Sequence, residues 1–220
     1  MPTETIHARA KHHFPSVLLT LLSIMQALSL EILWSGLDDQ AHLWAGGLSA
    51  LIGWLQVVGV VMGIMVIWLF YTTIVMRVTW VPSIGDLINP FLIGLCEFVL
   101  AEQLAPEFLH LWIVLLAGIF AISNWTSMSI YRRARRDPDN ADFFRDMQEY
   151  STSSYFQPAA FIASLLLTGL AVYAFGPVGF AGLFAVCLVL GLLATQVAII
   201  RHYWKRTISS PSAGAPSNEP

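Results

Sequence analysis

The chain has 220 residues, of which 56% are hydrophobic and only 11% are Asp, Glu, Lys or Arg. Soluble domains carry about 25% charged residues, so a soluble globular enzyme is excluded, and the same apolar content excludes a disordered chain. A net charge of -3 excludes a nucleic-acid partner read by basic patches, and two cysteines, Cys96 and Cys187, are too few for a disulfide framework.

A bilayer needs about 20 mostly apolar residues per helix. Six stretches meet that length: residues 15–34, 48–76, 82–104, 108–131, 155–175 and 178–204. The fold class predicted is an all-α integral membrane protein, a six-transmembrane-helix bundle forming one domain over residues 1–206. A Ser/Pro-rich tail over 207–220 is expected to be disordered.

The first stretch follows Arg9 and Lys11 and contains Ala27-Leu28-Ser29, a pattern shared with cleavable leaders. The apolar run continues to Trp34, and Glu31 is a poor neighbour for a cleavage site, so a retained span is the expectation. Gly46-Gly47 precede the second stretch. Pro82 breaks the helix arriving from Met76 and opens the third, Pro106 resets the chain before the fourth, and Gly176-Pro177 forms a hairpin between the fifth and sixth.

The eleven basic residues sort to one side: Arg9, Lys11, Arg77, Arg132, Arg133, Arg135, Arg136, Arg145, Arg201, Lys205 and Arg206. The positive-inside rule then predicts cytoplasmic N and C termini in a plasma (inner) membrane. Trp34, Trp44, Trp112 and Tyr173 are expected in the outer aromatic belt, and Trp80, Tyr131, Tyr155, Tyr203 and Trp204 in the inner one. The layout resembles that of bacterial relatives of the lysosomal potassium channel. That family carries Phe-Ser-Asp in its first span, whereas this chain reads Phe14-Pro15-Ser16, so no residue is carried across.

Small residues at Gly59 and Gly63, and at Gly179, Gly182, Ala185 and Gly191, mark faces for close helix packing, within the bundle or in a homo-oligomer. The connection after Tyr131 predicts a turn at Asp137-Pro138-Asp139-Asn140. A short amphipathic helix through Phe143, Phe144, Met147 and Tyr150 then lies on the inner leaflet, with Arg132–Arg136 near anionic head groups. Spacing and the missing central glycine exclude an EF-hand loop there.

Ionisable residues inside spans are costly and point to function. Asp86 and Glu97 are eleven residues apart, about three turns, so both fall on one face of the third span, with Asn89 beside them. That stripe is expected to face protein or a water-filled cavity. Pro90 removes a backbone donor within it.

Three readings follow. In the first, the stripe is a cation or proton path, with Glu97 as the relay, Glu31 at the outer mouth, Asp86 at the inner exit and Asn89 alongside; the acidic outer half attracts cations. In the second, the polar groups are interhelical glue, with Gln26, Asn124 or His110 as partners, in a membrane scaffold or complex subunit. In the third, Glu107 with His110 and Asp39 with His42 hold a metal, each acid three residues before its histidine. No nucleophile elbow, zinc-protease motif or phosphate loop is present, so a non-catalytic protein is expected, and no cofactor is named by the sequence. The expected partners are the lipid bilayer, a cation and a second copy of the chain.

Overall fold

The computed structural model describes residues 6–146, 153–177 and 179–209, and these are helical with no strand. The long helices are α1 (Ile6–Gly36), α3 (Gly47–Arg77), α4 (Ile84–Glu102), α5 (Leu109–Ala134), α7 (Ser153–Phe175) and α8 (Phe180–Ser209). Two short ones, α2 (Ala41–Trp44) and α6 (Ala141–Asp146), lie in connections. The six long helices are long and apolar enough to cross a membrane, as their sequences predict. This architecture is compatible with a multi-pass membrane protein.

Helix boundaries follow local chemistry. α3 ends where Val78 turns extended, and the chain stays non-helical until Ser83 caps α4. Pro82 therefore lies two residues before the helix it was predicted to open. α4 continues through Pro90. α8 runs to Ser209, five residues past the predicted end of the sixth stretch and three past that of the domain, and the remainder of the tail lies outside the described residues, as do Met147 and Tyr150 of the predicted surface helix. The turn into α8 places the Pro177 carbonyl against Gly182, where a Cβ would stand 2.0 Å from the oxygen. A side chain there would force the hairpin open.

The helices form a closed ring in the order α1, α4, α5, α7, α8, α3 and back to α1. α3 also reaches α4 and α5 across the ring. Gly59 admits the Trp112 ring and Leu190, and Gly63 admits Leu116, so this glycine face is filled from within the chain. Gly191 and Gly118 face open space.

Contacts between helix ends define two poles. At one, Arg77 Nη2 donates to the Tyr203 carbonyl (2.7 Å), Arg133 meets Asp86, and Lys11 meets Asp137 and Asp139. We call this the basic end. At the other, the His42 ring bonds the Leu104 carbonyl (3.1 Å) and His110 stacks near Tyr173. Asp38, Asp39, Glu102 and Glu107 are exposed there, making it the acid end.

The outer surface is apolar, as lipid demands. Trp34, Trp44 and Tyr173 are exposed near the acid end, in keeping with a belt. Trp80 and Trp112 are not belt residues: both are almost fully buried. Trp80 packs edge-on against Phe14 and donates its indole N–H inward, while Trp112 fills the space left by Gly59. Cys96 is half-buried, whereas Cys187 is exposed on α8 rather than packed inside.

Candidate functional site

The predicted stripe on α4 turns inward. Asp86 and Glu97 are each only 2% exposed, and Asn89 is half-buried. Between the two carboxyls the same face carries Pro90 and Ile93, both buried, with Gly94 pressed against Met25 of α1. Apolar packing thus divides the stripe, and its two acids belong to separate networks about 16 Å apart along the helix.

At the basic end, Asp86 stands in the first turn of α4, where the helix dipole favours a carboxylate. Its Oδ2 accepts from the Trp80 indole (3.1 Å) and the Ser83 amide (3.0 Å). Arg133 Nη2, from the last turn of α5, reaches Oδ1 at 2.6 Å and Oδ2 at 2.8 Å. The charge is balanced and both carboxylate oxygens are engaged. Predicted as an inner exit for cations, Asp86 is instead occupied by an arginine.

The surrounding connections are pinned as well. Asn140 is buried; its amide donates to the carbonyls of Thr79 (2.7 Å) and Ala134 (2.9 Å), and its oxygen accepts from the Thr79 N–H (3.0 Å). The predicted turn is present, with Asp137 accepting from the Asp139 N–H at 3.1 Å. Lys11 bridges Asp137 at 2.6 Å and Asp139 at 2.5 Å. Partial burial works against the charge on Asp137, but the Lys11 ammonium and the Asp139 amide outweigh it and hold this carboxyl below the usual aspartate range. Phe143 and Phe144 of α6 pack partly against the core, with Arg135 over the Phe144 ring.

Toward the acid end, Glu97 has no such counter-charge. No Lys or Arg pairs with it among the described residues. Two side chains of α1 approach it: Ser29 Oγ at 3.3 Å from Oε2 and Gln26 Nε2 at 3.5 Å from Oε1. The single hydroxyl proton of Ser29 is shared with the Met25 carbonyl (3.0 Å), whereas the Gln26 amide has two N–H donors and gives its shorter bond to the Ile64 carbonyl of α3 (3.0 Å). Helical spacing explains the pair: Gln26 and Ser29 are three residues apart and share one face of α1. Glu31 lies on another face and is exposed, so the structure does not bring it to Glu97.

The remaining candidates also separate. Asn89 donates to Thr126 Oγ1 of α5 at 2.6 Å, away from Glu97. Asn124 donates to the Met128 sulfur within its own helix. His42 commits Nε2 as a donor to the Leu104 carbonyl, and its ring lies against Gly53. Asp39 and Glu107 are exposed, and no group of three or more metal-binding side chains forms among the described residues.

Sequence reasoning missed Ser29, Arg133 and Gln56 at these places. Ser29 was legible from its spacing to Gln26. Arg133 was legible from topology, because the start of α4 and the end of α5 meet at one end of an antiparallel pair. Gln56 interrupts the apolar run of α3; it is 0% exposed, and neither amide atom has a partner among the described residues. It lies eight residues, about 12 Å, toward the acid end from the Ile64 carbonyl that Gln26 binds. Comparison with known proteins finds no matching family, no similar curated protein and no similar solved structure.

Proposed function

We propose that the chain is a small proton or cation channel or transporter of the plasma (inner) membrane, with its basic end and both termini in the cytoplasm. Glu97 is the group that binds the transported ion. The observation that carries this reading is a carboxyl 2% exposed, inside a membrane span, with two weak donors and no base. An isolated charge in low dielectric is untenable, so such a carboxyl is neutral only with a proton or a cation on it. Ser29 Oγ supplies a further oxygen at the same level, 3.3 Å from the carboxyl, as hard cations prefer.

Two features support access from the acid end. Its exposed carboxylates raise the local cation concentration. Gln56 places an unpartnered amide within the bundle on that side of Glu97. Asp86 takes no part in this reading, since Arg133 fills it.

The test is ion flux in proteoliposomes, with a pH-sensitive dye for protons and separate gradients of sodium and potassium. Glu97→Gln removes the ionisable proton at nearly constant volume and should lower flux by about tenfold or more. Flux unchanged by the substitution would overturn the reading.

A second reading has its own support: the Gln26 and Ser29 bonds tie α1 to α4 at a contact where Gly94 lets Met25 approach closely. There the polar groups are interhelical glue in a scaffold or complex subunit. Wild-type protein without flux of any of the three ions, purified with a stoichiometric membrane partner, would favour it.

A further inference from the structure

At the basic end a cavity of about 410 Å³ opens beside the start of α4, lined by Val81, Pro82, Ser83, Arg133, Arg136, Asp137 and Pro138. Two guanidinium groups meet a capping serine and a helix N-terminus at this one place. The carboxylates nearby are already engaged: Asp86 by Arg133 and Asp137 by Lys11. Arg133 bonds Asp86 through Nη2 alone and remains 24% exposed. Arg136 is exposed and has no ion pair among the described residues. The wall therefore carries one uncompensated positive charge, with the positive end of the α4 dipole beside it.

The neighbourhood of the cavity distinguishes it from an ordinary anion cleft. From Ser83 onward, α4 presents Ile84, Leu87, Ile88, Phe91 and Leu95 outward, all exposed, at spacings that form a single stripe running away from the cavity along the span. Ile84, immediately after the capping serine, is 75% exposed. A polar, positively charged recess thus sits at the end of an apolar track, at the boundary between span and connection. That is the shape of one lipid molecule: a phosphate at the recess and an acyl chain along the track.

We propose that this cavity is a site for the phosphodiester head group of an anionic phospholipid, with Arg136 as the principal charge contact, Arg133 and Ser83 as hydrogen-bond donors, and the outward stripe of α4 as the acyl-chain surface. The site needs only that the basic end lies at the membrane surface, and it stands apart from Glu97 and from any transport. Its occupancy would hold the connection around Asn140 against the start of α4, because the lining residues come from both.

Native mass spectrometry of the full chain in detergent tests it, titrating phosphatidylglycerol against phosphatidylcholine of the same acyl chains. A preferred single adduct of phosphatidylglycerol is expected. Arg136→Gln should weaken that adduct by about fivefold, the size of one basic contact at an anionic surface. Arg132→Gln, also exposed and in the last turn of α5 but outside the cavity, should leave it unchanged. Equal binding of the two lipids, equal loss in the two variants, or retention in Arg136→Gln would each overturn the site. Inorganic phosphate and glycerol phosphate form the last arm: competition at concentrations matching the lipid would assign the recess to a soluble phosphate and overturn the lipid assignment.

Discussion

Asp86 and Glu97 occupy the same face of one helix, equally buried, eleven residues apart, yet their surroundings are opposite. Asp86 has an arginine on both oxygens, an indole and a backbone amide; Glu97 has two long contacts from uncharged side chains. The first carboxylate is a finished structural joint, whose removal leaves other groups stranded. The second is an incomplete polar site for which the protein supplies no counter-charge. Burial of an acid inside a membrane helix is thus not by itself a functional mark; the counter-charge decides.

That contrast breaks most visibly at Arg133. Replacing it with Met leaves Asp86 buried without its counter-charge, and should cost about 3–5 kcal/mol in thermal or denaturant unfolding in detergent. Adding Asp86→Asn to the same chain should recover part of the loss, because the stranded charge is gone. No recovery would show that Arg133 acts by packing rather than by charge.

Asn140 tests how far the joint extends. Its amide holds the Thr79 carbonyl and amide and the Ala134 carbonyl together, so Asn140→Ala should destabilise by about 2 kcal/mol through groups left unpaired. A loss much smaller than this would confine the joint to the ion pair.

Glu97→Gln should change stability by less than about 1 kcal/mol in either direction, since no charged partner is stranded by it. A loss as large as that of Arg133→Met would erase the distinction between the two acids.

The smallest effect concerns Lys11 and Asp137, a partly exposed pair worth about 0.5 kcal/mol. Asp137 has a folded value below its unfolded one. Its contribution is therefore present above the ordinary aspartate range near about 4 and is lost as pH falls through the lowered value. Lys11→Met should flatten this acid limb of the stability profile, most clearly at low salt.

The spans were readable in the chain itself because length and apolarity are local properties. The six predicted stretches each fall on a long helix, and the wheel arithmetic placing Asp86 and Glu97 together holds because it needs only the pitch of one helix. Glu31 shows the limit of counting along a chain: it shares α1 with Gln26 and Ser29 but points away from them, and a list of acidic residues does not register direction. Trp80 and Trp112 show another, since a belt and a buried indole look alike until the neighbour is known.

Composition and the placement of charges by themselves determined a membrane protein with six helices and a basic and an acidic end, because lipid tolerates neither exposed backbone nor scattered charge. Only the tertiary structure decided which of the buried acids is satisfied. That depends on which helices lie side by side, α5 bringing Arg133 to Asp86 and α1 bringing only Gln26 and Ser29 to Glu97. Adjacency in a ring of helices comes from packing across the whole bundle, and no single segment encodes it.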